Sequence, residues 1–237
     1  MSKIFKRVSP VMPASIQASA YADTEILFDW HKIDARKVSS ISGLQCIVRG
    51  TKGVAQTMVG IDLFFATSNI PTPSDGVNVS VNTVPATLGT TGAAVDTPGW
   101  FNNLCGHVAI AAADFNDADL IYLNVATKSD LNIPVDGDLY VAAVSKGDLD
   151  FTSTVQVSTE TATDTADVVV KTTSALITLA PGDVVHDEND LVIGTVKSVT
   201  DATNLVLTKN CESVSAVDKD LYNTSPIQLI LSCECFN

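Results

Sequence analysis

Three histidines and five cysteines are among the side chains of this 237-residue chain that could serve as bases, nucleophiles or metal ligands. Cys105 and His107 stand two residues apart in "LCGHVAI", and on a strand this spacing puts both side chains on one face. Nucleophilic catalysis also needs a third group that orients the base, and the Cys-x-His spacing does not identify one. His31 lies in the charged run "DWHKIDARK" and is expected at the surface or at an interface. We therefore predict that the chain is not an enzyme and has no catalytic residue.

The spacing of the cysteines matches no zinc site. They are Cys46, Cys105, Cys211, Cys233 and Cys235. The last two form a Cys-x-Cys pair, which is too close for the Cys-x-x-Cys of a zinc knuckle. Buried free thiols behave as small apolar groups, so we predict that the cysteines pack in the core of a protein made in a reducing cytosol.

The best candidate for a metal site is the sequence "HDEND" at residues 186–190. Calcium binds clustered carboxylate and carbonyl oxygens, which this sequence would supply. However, five polar residues between the apolar stretches "GDVV" and "LVIGTV" also have the composition of a hairpin turn. The spacing of an EF-hand is absent. We predict a turn here, with no metal and no cofactor.

The formal net charge of −13 is distributed unevenly along the chain. Residues 1–52 contain eight Lys and Arg against four Asp and Glu, a net charge of +4, and the remainder has a net charge of −17. An acidic body is a poor binder of nucleic acid, because phosphate contacts need dense Lys and Arg. No stretch approaches the ~18–20 apolar residues of a membrane helix. We expect neither nucleic acid nor membrane as a partner, but a basic N-terminal segment that binds an acidic surface.

The elements that must position these residues are short strands. Segments rich in β-branched and aromatic residues recur between turn residues, and no long segment has a helical period. The predicted fold class is all-β: a jelly-roll-like β-sandwich with an extended N-terminal arm and an inserted small β-barrel. The main predicted strands are "TEILFDW", "GLQCIVRG", "TMVGIDLFFATS", "ADLIYLNVAT", "GDLYVAAVSKG" and "PIQLILSCECF".

Composition divides the chain into three parts. Residues 1–22, with two prolines, are predicted to form an extended arm that can be removed without unfolding the rest. Residues 148–225 hold 13 Asp and Glu against four Lys and are predicted to form the small acidic β-barrel. Residues 23–147 plus 226–237 then form the sandwich. In the simplest topology "LYVAAV" pairs with "IQLILSCEC", and the barrel is inserted between these two strands.

Turn residues predict three further local features. The segment that begins "NIPTPSDG" is predicted to be a long loop with a short strand "VNVSV" and a turn at "DTPGW". The aromatic side chains of Trp100 and Phe101, at the end of this turn, are predicted to pack in the hydrophobic core. Gly194, inside "LVIGTVKSV", predicts a bend or a bulge.

Residues 182–208, "GDVVHDENDLVIGTVKSVTDATNLVLT", resemble a small β module that recurs in virion proteins of tailed bacteriophages. The shared pattern is a Gly-Asp turn, an acidic hairpin tip, an Ile-Gly-Thr-Val strand and a Thr-x-Leu-x-Leu strand. "AAVDTPGWFNN" and "ATKSDLNIP" are similar to segments of structural proteins of marine, especially cyanobacterial, phages. In its general pattern of strands and turns the resemblance extends over residues 60–235. It implies a virion component and no catalytic residues.

Among virion components, we expect a capsid decoration (cement) protein, which binds the outer shell and bridges neighbouring capsid subunits. The expected partners are the major capsid protein and further copies of the chain, as a trimer on the capsid surface after synthesis in the host cytoplasm. The predicted partner-binding residues, all in the arm, are Lys3, Phe5, Lys6 and Arg7. Three alternatives stay open: a tail, neck or baseplate component, a module that binds host-surface glycan, and an enzyme such as a glycosidase.

Overall fold

The computed structural model describes residues 3–23, 25–49, 56–67, 104–116, 124–158, 169–172, 179–201 and 203–235. Its strands are β1 (Lys3–Val8), β2 (Ile26–Ile33), β3 (Val38–Val48), β4 (Ile61–Thr67), β5 (Leu104–Ile110), β6 (Phe115–Asn116), β7 (Asn124–Lys128), β8 (Ile133–Pro134), β9 (Leu139–Ser145), β10 (Val169–Lys171), β11 (Val184–Asp187), β12 (Val192–Asp201), β13 (Asn204–Leu207), β14 (Leu221–Asn223) and β15 (Ile227–Cys235). The helix α1 (Ala14–Gln17) and a 3-10 turn (Ala112–Asp114) complete the described elements. The predicted all-β class is confirmed.

Two antiparallel sheets form the main β-sandwich. The six-stranded sheet has the order β1-β15-β3-β7-β6, with β8 also paired to β3, and the four-stranded sheet has the order β2-β9-β4-β5. Side chains alternate across each strand, and the inward-facing ones of both sheets meet in one core. Each of the six main predicted strands overlaps a strand of this sandwich. The predicted "VNVSV" strand, the "DTPGW" turn and the pair Trp100–Phe101 lie outside the described residues.

The N-terminal segment is a structural part of the sandwich. It is extended over Lys3–Val8, but as strand β1 it pairs with β15 through six residues. The segment then turns into α1, and its apolar side chains are buried in the main core. These buried residues are Val8, Met12, Ile16 and Tyr21. We therefore no longer expect the segment to be removable without harm to the fold.

A smaller unit with its own core lies between residues 155 and 221. Its sheet has the order β10-β13-β12-β11-β14. Val157 pairs with Thr172, just beyond β10, and Gln156 pairs with Asp220, just before β14. The chain at 156–157 thus joins the two outer strands, so the sheet curls back on itself as in a small barrel. The buried apolar residues of this unit are Val155, Val157, Leu179, Val185, Ile193, Val196, Leu205, Leu207, Cys211 and Leu221.

Gly194 lies at the bulge that the sequence predicted. It pairs with Val185, and the register shifts between Val185 and His186. The φ angle of Gly194 is +153°, where side chains are disfavoured. A Cβ at this position would also lie 3.0 Å from Cδ1 of Leu207. Both the backbone and the packing therefore select glycine here.

The predicted pairing of "LYVAAV" with "IQLILSCEC" is wrong. Strand β9 lies between β2 and β4 in the four-stranded sheet, whereas β15 lies between β1 and β3 in the six-stranded sheet. Both segments are strongly apolar because each is a central strand that faces the same core. An apolar run indicates a central strand, but it does not indicate which strands are its neighbours.

Gly106 provides a test of how closely the two sheets pack. It lies in β5, and a Cβ added to it would lie 2.8 Å from both Cγ atoms of Ile133 in β8. Because overpacking a filled core costs ~1–3 kcal/mol, we expect Gly106→Ala to lower the free energy of unfolding in urea by about that amount. Gly43→Ala is the matched control, since its Cβ would meet its neighbours at an ordinary 3.4 Å. Equal stabilities of the two variants would contradict the expected clash.

Candidate functional site

Strand β1 lies at the edge of the six-stranded sheet and carries all four predicted partner-binding residues. Alternation places Lys3, Phe5 and Arg7 on the outward side, where all three are exposed. Phe5 is 74% exposed, the highest value among the large apolar side chains of the described residues. The outward row of β1 therefore combines two cations with one apolar ring that the protein itself does not cover.

Lys6 does not join this row. Its side chain is on the opposite side of β1, only 24% exposed, with Nζ 3.6 Å from Oδ2 of Asp34. Asp34 also accepts hydrogen bonds from the Arg36 side chain. The structure thus brings together three of the four predicted residues and gives the fourth an intramolecular partner. The reason is the two-residue period of a strand, which separates Lys6 from its neighbours.

The outward row of β1 continues onto the neighbouring strands. Phe5 pairs with Ser232 of β15, which pairs with Gly43 of β3, and Arg7 similarly leads to Ile230 and Gln45. We call this surface the outer face and define it by Phe5, Arg7, Gly43, Gln45, Thr127, Ile230 and Ser232. Beside Phe5 it contains a hollow of about 340 Å³ whose floor includes Gly43. The hollow was not predicted from the sequence; a glycine in the middle of a strand was the one signal for it.

An ion pair joins the sandwich to the small barrel at the end of the outer face. Arg49, just after β3, donates through Nη2 to Oδ1 of Asp183, whose other oxygen accepts from the backbone N–H of Ala180. The side chain of Asp183 is 1% exposed and that of Arg49 is 15% exposed. Burial raises the pKa of Asp183, while Arg49 and the nearby Arg7 act to lower it. This pair was missed because nothing local in the sequence relates positions 49 and 183.

The acidic sequence "HDEND" forms the predicted hairpin turn. Oδ1 of Asp187 accepts from the backbone N–H groups of Asn189 and Leu191, at 2.9 and 3.1 Å, and Oδ2 accepts from the hydroxyl of Ser215 at 2.9 Å. These contacts use the Asp187 carboxylate to shape the turn, as Asp commonly does. Within the described ranges there is no group of three or more His, Cys, Asp or Glu that could hold a metal ion.

The same hairpin also contacts the N-terminal segment. Oδ1 of Asp190 accepts a 2.6 Å hydrogen bond from the N–H of Ala14, the first residue of α1. Gln17 at the other end of α1 donates through Nε2 to the carbonyl oxygen of Asn223, at the end of β14. We call this contact between α1 and the barrel the junction. It gives the acidic residue Asp190 a structural role.

His186 lies beside Asp190 of the junction. It is 3% exposed, and its ring stacks on Tyr222 with centroids 5.9 Å apart. Its Nδ1 lies 3.0 Å from Oγ1 of Thr224, and its Nε2 lies 3.6 Å from Oδ1 of Asp190. Burial lowers the pKa of His186, although Asp190 and Asp187 act to raise it. The folded protein therefore favours the neutral ring.

Mild acid is expected to destabilise the protein through this ring. Because the folded pKa of His186 is lowered, the unfolded chain binds more protons below about pH 6.5, and the free energy of unfolding falls as pH falls through that region. We expect His186→Gln to remove part of the fall between about pH 7.5 and pH 5.5, measured by urea unfolding. Burial also lowers the pKa of His31, so His31→Gln should remove another part. If the free energy of unfolding of His186→Gln falls with pH as steeply as that of the unchanged chain, His186 is not the cause of the fall.

The predicted common face of Cys105 and His107 is not observed. A register shift between Phe65 and Ala66 in the partner strand disturbs the alternation of β5 at Cys105. Cys105 packs against the main core, whereas the ring of His107 stacks on Phe64 in a separate cluster, with centroids 4.9 Å apart. Burial raises the pKa of Cys105, which keeps its thiol protonated. The bulge thus separates the two groups that the spacing had placed together.

The other four cysteines are buried free thiols, as predicted. Burial raises the pKa of Cys46 to about 12 and that of Cys233 to about 11. Buried thiols of this kind act as apolar core side chains.

No family model, no curated protein and no solved structure matches the chain. In the part of the chain that the structure describes, no helix is long and apolar enough to cross a membrane.

Proposed function

We propose that the chain is a structural protein of a tailed-bacteriophage virion and that it decorates the outside of the capsid shell. The observation that carries the proposal is the outward row of β1, where Lys3 and Arg7 flank the 74%-exposed Phe5 on a protein with a net charge of −13. A basic strip on an acidic body is complementary to an acidic surface and fixes the orientation of binding. An exposed aromatic ring adds the desolvated contact that most binding energy requires.

The rest of the molecule is consistent with a role in assembly. The resemblance of residues 182–208 to a virion module covers most of the strands of the small barrel. The barrel has its own core, and the junction and the Arg49–Asp183 pair hold it to the sandwich. The proposed partner is the major capsid protein, and the proposed role is non-catalytic. Many copies on one shell would multiply a modest affinity per copy.

Cryo-electron microscopy of the virus particle that encodes the chain tests the proposal. Hundreds of copies on the icosahedral shell are the expected result. A few copies at a three-fold or six-fold position of the tail would show that the chain is a tail component and not a capsid decoration protein. Absence from the particle would overturn a virion role.

The residues are tested by adding the purified protein to capsids that lack it. We expect Lys3→Glu/Arg7→Glu to reduce capsid binding at least tenfold, and binding of the unchanged chain to weaken as salt is raised. The matched control is Lys197→Glu/Lys209→Glu, which makes the same charge change on exposed lysines of the barrel. Equal binding by both variants would exclude the outward row of β1 as the contact.

A further inference from the structure

The outer face contains both an exposed ring and a place that could receive one. Phe5 projects from β1, and the hollow of about 340 Å³ lies beside it. The floor of the hollow includes Gly43, whose lack of a side chain keeps it open. A Cβ on Gly43 would meet its nearest neighbours, the Lys128 carbonyl oxygen and Cβ of Ser232, at 3.4 Å, so glycine is not required there by packing inside the chain.

The register of the sheet relates the ring to the hollow. Phe5 pairs with Ser232, and Ser232 pairs with Gly43, so the three residues form one row across β1, β15 and β3. Neighbouring strands are ~4.8 Å apart, which places Phe5 and Gly43 at equal distances of about 5 Å on either side of β15. A half turn about an axis parallel to β15 would therefore exchange the position of the ring with that of the hollow.

The charges of the outer face follow the same arrangement. Lys3 and Arg7 lie on the β1 side, and Asp130 lies on the opposite side, just after β7. The centre between them, with Ile230, Ser232, Gln45 and Thr127, is uncharged, and Glu234 of β15, which pairs with Lys3, lies at its end. Protein interfaces have such uncharged centres with charged residues at the rim. Lys128, which also lines the side of Asp130, is paired with Asp114 at 2.6 Å. The half turn about β15 would bring Lys3 and Arg7 of one copy toward the side of the other that carries Asp130.

We propose that two copies of the chain pack face to face through the outer face, about a twofold axis parallel to β15, with Phe5 of each copy in the Gly43 hollow of the other. A twofold contact uses the same surface on both copies and fills both hollows at once. An unrelated partner would need a ring and a hollow at the same spacing to do this. The pairing is face to face, as between the sheets of a sandwich, and leaves the free edge of β1 at the perimeter.

The inference does not rest on the proposed function, because it concerns the isolated chain in the absence of any capsid. The two share Phe5 but differ in the residues that test them. The charge change at Lys3 and Arg7 alters both contacts, whereas filling the hollow at Gly43 leaves these two cations unchanged and tests the contact between copies.

Sedimentation equilibrium of the full-length protein at about 1–100 μM tests the pairing. We expect a dimer, and we expect Phe5→Ser and Gly43→Val each to raise the dimer dissociation constant at least tenfold, one by removing the ring and the other by filling the hollow. Val11→Ser is the matched control, because Val11 is 62% exposed and lies off the outer face. Circular dichroism confirms that each variant is folded.

Mixing the two variants gives the sharpest result. Phe5→Ser keeps an open hollow and Gly43→Val keeps its ring, so a mixed pair regains one of the two contacts. We expect the mixture to associate more tightly than either variant alone. A monomeric unchanged chain, a trimer, or a dimer insensitive to Phe5→Ser would each overturn the proposal. A monomer whose Phe5→Ser variant also loses capsid binding would assign the outer face to the shell.

Discussion

A chain that begins at Ala18 after an initiating methionine is expected to lose cooperative folding. The deletion removes β1, so β15 loses its neighbour through six paired residues and becomes an unprotected edge. It also removes Val8, Met12 and Ile16, which are 3%, 0% and 1% exposed in the main core. Losing one large core side chain costs ~2–5 kcal/mol, and three together approach or exceed the ~5–15 kcal/mol by which domains are stable. Thermal unfolding followed by circular dichroism should show no sharp transition.

The control for this deletion keeps the strand and changes only its outward residues. Lys3→Ala/Phe5→Ala/Arg7→Ala alters side chains that are exposed, so we expect its melting temperature to stay within a few degrees of the unchanged chain. A deletion variant that melts as sharply and as high as this control would show that the N-terminal segment is a removable arm after all.

Arg49→Met is expected to destabilise the protein by ~3–5 kcal/mol, because it leaves the carboxylate of Asp183 buried without its cation. Asp183 is 1% exposed, so water does not replace the lost partner. For a chain of this size 1 kcal/mol corresponds to ~2–4 °C, so the melting temperature should fall by roughly 10 °C. Differential scanning calorimetry measures the change.

Two further variants test whether the loss of stability comes from the burial of this pair or from the loss of any ion pair. Lys32→Met breaks the 2.7 Å pair between Lys32 and Asp138, whose side chains are 56% and 52% exposed. Water screens such an exposed pair, so only a small effect is expected. Arg49→Met/Asp183→Asn removes the unpaired charge and should recover part of the lost stability. Equal losses in Arg49→Met and Lys32→Met would show that burial of the Arg49–Asp183 pair has no special effect.

Several local features followed from the sequence. The "HDEND" turn and the Gly194 bulge were predicted because Asp, Asn and Gly have backbone preferences that act over a few residues. The buried cysteines followed from the apolar character of free thiols. The turn and the bulge depend on neighbours in the chain and the burial of the cysteines on residue type, and the structure places all three as predicted.

Only part of the candidate site could be predicted from the sequence. The basic and aromatic residues of β1 stood out by type, but their separation into an outward row and the inward Lys6 depended on the strand that the segment forms. The hollow at Gly43 depends on β15 and β7, which lie far along the chain from β3. The Cys105–His107 face was lost to a bulge that only the pairing of β5 with β4 reveals.

By itself the sequence determined that this chain is built from strands, where the "HDEND" turn and the Gly194 bulge fall, and that its charge is basic at the start and acidic after it. Those properties follow from residue types and short-range spacing. The tertiary structure alone decided that β1 pairs with β15, that β9 and β15 belong to opposite sheets, and that Arg49 meets Asp183. The physical reason is that strand pairing and ion pairing act between residues distant in the chain. The type of a residue predicts that it will be buried or paired, but only the fold determines the residue it contacts.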